Sequence, residues 1–101
     1  MKKQEAIKAA KLIKIQLNKL KNSYRFKDLK ENFMFTIKVQ ESDSSKDWFG
    51  VHIYTDAEAY DAFYDSWRNQ ELIQKAVNKQ LKAKEDDHYF ERDGGGILTF
   101  Y

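Results

Sequence analysis

The chain has 101 residues, with 18 Lys plus Arg against 16 Asp plus Glu, four glycines, no proline and no cysteine. That length supports one hydrophobic core but not two domains with a cleft between them, and the lack of cysteine rules out a disulfide framework, a thiol nucleophile and a thiolate metal site. With 42% hydrophobic and 34% charged residues and a mean hydropathy of −0.81, the chain is too apolar for a disordered polymer and too polar for a membrane protein. One globular domain spanning 1–101 is expected. Nothing demands an oxidising compartment, so the expected location is the cytoplasm. Lys8, Lys11 and Lys14 break the apolar residues after Met1, so neither a signal peptide nor a membrane span of about 20 apolar residues is read there.

From about Lys3 to Asn22 the periodicity predicts a helix. Ala6, Ala10, Ile13, Leu17 and Leu20 share one stripe, which is the core face. Leu12 and Ile15 fall off it among Lys8, Lys11 and Lys19. They either pack under a neighbouring strand or form a small apolar patch, and the second alternative allows a homodimer through this helix. Tyr24–Asn32 carries no clear period. Two strands follow, Phe33–Val39 and Trp48–Tyr54, both apolar at the odd positions and joined by the polar run Glu41–Asp47, as a hairpin loop requires. Pairing Gln40 with Trp48 sets Lys38 against Gly50, Thr36 against His52 and Met34 against Tyr54. One sheet face then carries Trp48, His52, Tyr54 and Lys38.

Thr55, with Glu58 three residues on, reads as a capping box, so a second helix is expected from Asp56. Its first half places Ala59, Tyr60, Phe63 and Trp67 on one stripe beside Tyr64; its second half uses a rotated stripe of Ile73, Ala76, Val77 and Leu81. The phase change falls near Arg68, Asn69 and Gln70. One bent helix or two meeting helices both account for it, and the absence of Pro and Gly favours continuity. His88–Glu91, the turn Asp93–Gly96 and Ile97–Tyr101 read as a closing hairpin or one terminal strand. The predicted class is α+β, with two helices on one face of a small antiparallel sheet.

Catalytic signatures are absent from this string. His52 and His88 lack metal-ligand spacing, the serines lack a nucleophile-elbow context, and an apolar strand rather than a helix follows the glycines. No cofactor, metal or catalytic residue is expected, and the reading is of a protein that is not an enzyme. Glu58, Asp61 and Asp65 share a helix face, which is ordinarily a solvated one.

The charge is unevenly distributed. Residues 1–38 carry a net +8, residues 39–71 a net −6 and the rest none. Such a chain resembles in composition the small accessory proteins of bacteria and of their phages and plasmids, many of which bind and block a larger host protein. The function expected first is therefore a non-enzymatic interaction protein that modulates a host partner, such as a nucleic-acid-handling or defence enzyme. It would use an acidic, aromatic surface of Asp43, Asp47, Glu58, Asp61, Asp65, Tyr64 and Trp48. The alternative is nucleic-acid binding, with Lys8, Lys11, Lys14, Lys19 and Lys21 on phosphates and Trp48 and Tyr54 stacking on bases.

Overall fold

In the computed structural model the described residues are 1–42, 45–65, 67–92 and 97–101, with backbone alone described for Ser45, Lys46 and Asp65. Helix α1 covers Lys3–Asn22, the span the periodicity predicts. Ser23 closes it: its N–H donates to the carbonyls of Lys19 and Leu20, and its hydroxyl donates to Leu20 O at 2.6 Å. The stretch without a clear period holds a short helix, α2 (Lys27–Asn32). Strands β1 (Phe35–Ser42) and β2 (Ser45–Thr55) form the first hairpin. Helix α3 (Ala57–Tyr60) runs into a π-helical turn at Asp61–Asp65, and α4 spans Trp67–Gln80. A second hairpin, β3 (Phe90–Arg92) and β4 (Ile97–Phe100), completes the chain, which decides between the hairpin and the single strand. The sheet is antiparallel throughout in the order β1-β2-β4-β3, so the fold is α+β as expected.

Ala6, Ala9, Ile13 and Leu17 of α1 are fully buried against Val51 and Ile53 of β2 and Leu98 and Phe100 of β4; Phe63, Ile73 and Val77 complete the same cluster. Burying side chains the size of Ile13 or Leu17 contributes about 1.5–3 kcal/mol each. Of the two off-stripe residues, Leu12 packs against the core, whereas Ile15 stays 51% exposed. Met1 is buried as well, and its amine donates to Phe49 O at 3.0 Å while its carbonyl accepts from Phe49 N.

Four expectations need correction. The polar run does not form a long loop, because β1 continues to Ser42 and β2 resumes at Ser45. The pairing register differs by two residues: Gln40 faces Gly50, Lys38 faces His52 and Thr36 faces Tyr54, while Met34 lies opposite Asp56. A shift of two preserves every side chain's face, so the division of the sheet into an apolar and a polar side survives. The helix cap is Asp56 rather than Thr55: Asp56 Oδ1 accepts from Ala59 N at 2.9 Å, and Oδ2 accepts from Met34 N at 3.3 Å. Lastly, the phase change comes earlier than Arg68, at the π turn. An extra residue in one turn advances the following side chains by about 100°. Phe63 therefore stays in the core, while Trp67 is thrown outward to 73% exposure and Ile73 and Val77 take over the inner stripe. The Asn69 amide donates to Ala62 O at 2.8 Å, satisfying a carbonyl within the widened turn.

Candidate interaction surfaces

Alternation along the strands gives the sheet two different faces. The odd positions of β1 and β2, with Phe90, Leu98 and Phe100, point to the helices. The even positions of β1 and β2 point the other way, and β4 and β3 add Ile97, Glu91 and the paired ends Tyr101 and Tyr89, with Thr99 fully buried among them. Across this outer face Lys38, His52, Thr99 and Glu91 form one row and Thr36, Tyr54 and Ile97 the next. Ring neighbours tie the face together. His52 and Tyr54 lie 6.4 Å apart, Tyr89 and Tyr101 lie 5.7 Å apart, and the Lys38 amine sits 5.5 Å above the Tyr54 ring. Trp48 stands at the hairpin end of the same face with 49% exposure, and Tyr89 is 43% exposed. Gly50 is buried between Trp48 and His52, where the Thr99 methyl and the Phe100 carbonyl come within 3.4 Å of the place a Cβ would take.

Among the described residues, Asp47 is set apart from Glu58 and Asp61. Asp47 is exposed at one end of β2, beside Trp48, whereas Glu58 and Asp61 lie beyond its other end. The nine residue-to-residue rises of extended chain from Asp47 to Asp56 correspond to about 30 Å. Asp43 and the side chain of Asp65 fall outside the described residues. Tyr64 belongs to the second group, half-buried and stacked on Tyr60 at 5.5 Å. Tyr24 also approaches that group: burial, then the charges of Glu58 and Asp61, pushes its phenol above the ordinary tyrosine range.

The lysines of the alternative reading lie elsewhere again. Lys8, Lys11, Lys14 and Lys19 are exposed, and Lys21 is half-buried, on the helix that covers the inner face of β1 and β2. They are separated by the thickness of the molecule from Trp48 and Tyr54 on the outer face. The two histidines are likewise apart. His52 is on the outer face; His88 packs against the core ring of Phe100 at 6.0 Å, with Nδ1 3.1 Å from Tyr101 O. The glycine turn at 94–96 lies outside the described residues.

Among the described residues no group of three or more acidic or histidine side chains is placed to hold a metal ion, and no helix is long and apolar enough to cross a membrane. The surface hollows are shallow. One, 410 Å³ in volume, is lined by Lys75, Ala76, Lys79, Ala83, Lys84 and Glu85. Another, of 220 Å³, lies between Thr55, Asp56, Ala57, Tyr60 and Arg92, whose guanidinium sits 5.2 Å above the Tyr60 ring.

Two contributors to these surfaces carry no recognisable sequence signal. Tyr89 and Tyr101 reach the outer face because β3 and β4 pair in a register that sets them opposite each other, which the sequence alone does not specify. Compared with known proteins, the chain matches no family model, no curated protein and no solved structure.

Proposed function

We propose that the protein acts by binding a larger protein partner rather than by catalysis, in the manner of an accessory protein that modulates a host factor. Its docking platform is the outer sheet face around Trp48, Tyr54, Tyr89 and Tyr101. One observation carries this reading: the outer face of the four-stranded sheet bears four large rings, of which Trp48 and Tyr89 are 49% and 43% exposed. Exposed Tyr and Trp with a polar rim are the composition of protein-binding hot spots, since they offer large contact area at little rotamer cost. The charge on the platform favours a protein over a polynucleotide. Lys38 is balanced by Glu91 in the same row, so the face lacks the cationic excess that phosphate binding uses. Asp47 is exposed at one end of β2, and Glu58 and Asp61 lie beyond the other.

Affinity purification of the tagged protein, quantified by mass spectrometry against Trp48→Ala and Tyr89→Ala, tests the assignment. Both exposed positions can lose their rings without opening the core, so the variants retain the wild-type circular dichroism and melting curve. A protein retained by wild type should fall at least about tenfold with either variant, as loss of a hot-spot ring costs 2 kcal/mol or more. Retention equal to wild type in both variants rejects the outer face as the docking platform.

A further inference from the structure

The two edges of the sheet are treated differently. In an antiparallel ladder, alternate residues direct their N–H and C=O groups to opposite sides of the strand. Asp56 N donates to Met34 O at 3.1 Å, which fixes the phase for the whole hairpin. Thr36, Lys38 and Gln40 spend their backbone groups on Tyr54, His52 and Gly50, and Phe35, Ile37 and Val39 direct theirs outward. Among the described residues nothing hydrogen-bonds to those outward groups. The opposite edge is guarded: β3 is three residues long, and the Gln74 side chain reaches from α4 to accept from Phe90 N at 3.4 Å. Strand β1 has eight residues, no proline and no bulge before Glu41. Its inward side chains Phe35, Ile37 and Val39 are only half-buried, so apolar surface remains beside the open backbone.

We infer that the β1 edge receives an extended strand of a partner protein, with an acidic residue opposite Lys38 and apolar residues opposite Ile37 and Val39. Strand addition supplies backbone hydrogen bonds from the edge, and alternation of side chains supplies specificity. The added strand's inner side chains would cover Ile37 and Val39. Its outer side chain would meet the Lys38 amine, which has no carboxylate partner among the described residues. Charge also selects against a second copy of this chain. When the regular residues 35–41 of two antiparallel β1 strands overlap, Lys38 meets its own counterpart in a non-hydrogen-bonded pair, where side chains approach most closely and like charges repel. This inference rests on the protein-binding reading but uses the sheet's edge rather than its face, so the two fail separately.

The probe is the acetylated, amidated heptapeptide Ser-Thr-Val-Glu-Val-Thr-Ser, followed by amide hydrogen exchange and NMR titration of the purified protein. It should slow exchange at Ile37 and Val39 while leaving Lys38, already within the ladder, unchanged. A lysine-centred counterpart should bind about fivefold more weakly. Val39→Pro removes an outward N–H that the native ladder does not use, and should abolish binding with the fold intact. Methylating the peptide's own valine nitrogens should do the same, independently of any change to the protein. Absence of protection at millimolar peptide, or equal binding of both peptides, overturns the proposal. So does protection of Ile37 and Val39 in the peptide-free protein together with a dimer mass by sedimentation, since a second copy would then hold the edge. Loss of face docking in Trp48→Ala with peptide binding intact affects only the platform.

Discussion

Asn78 is a fully buried polar side chain with every hydrogen-bonding group used. Its Nδ2 donates to the carbonyls of Glu85 and His88 at 2.8 Å each, and its Oδ1 accepts from His88 N at 3.2 Å. One residue of α4 thereby fixes the loop that brings the chain back to β3. Asn78→Ala removes all three bonds and strands backbone groups away from water. The expected cost is about 2–4 kcal/mol, read as a lower urea midpoint at unchanged slope. Asparagine at this position carries no sequence signal of its own, because an amide beside an apolar stripe is ordinarily solvated. Only the loop closing over it makes it a core residue.

At the scale of elements, Asp56 joins two functions. It caps α3 through Ala59 N and holds the start of the first hairpin through Met34 N. Asp56→Ala should therefore cost about 1–2 kcal/mol in denaturant unfolding, with Asp56→Asn recovering most of it, since an amide oxygen still accepts at a cap. Helix α1 was legible from Lys3 to Asn22 because a 20-residue amphipathic stripe repeats its message many times. The cap was not, because Thr55 and Asp56 are both good capping residues and only the extra bond to Met34 separates them. The faces of the first hairpin were legible and its register was not: alternation defines a strand only modulo two residues, and the turn that would settle it is a featureless polar run. The π turn was visible solely as two stripes that disagree, which marks a phase slip without locating it. The outer-face rings of Trp48 and Tyr54 were readable from that alternation, whereas the separation of Asp47 from Glu58 and Asp61 was not. Nearness in sequence suggested one acidic strip, but an extended strand carries its ends apart.

For the whole molecule, the sheet separates two chemistries. The basic back of α1 and the aromatic outer face cannot touch the same short ligand, so they should respond independently. Any affinity for oligonucleotides at low salt is expected to depend on Lys8, Lys11, Lys14 and Lys19. With four exposed lysines, the slope of log K against log salt should not exceed about 3–4 in magnitude. Fluorescence polarisation should show that Lys11→Glu with Lys14→Glu removes this binding while Trp48→Ala leaves it unchanged; a loss with Trp48→Ala would mean that the two faces are coupled.

The strand order β1-β2-β4-β3 also has a kinetic consequence. Strand β4 lies between β2 and β3, yet the ladder joining Ile53 to Leu98 closes across three helical segments. The first hairpin needs only a tight local connection, whereas the central rung waits for a long loop to close, and distant pairing is the slower event. Until β4 arrives, the hairpin is open along both edges, with the apolar side of β2 incompletely covered. The transient species most prone to self-association is therefore this early hairpin, and the rate at which β4 inserts sets how long it persists.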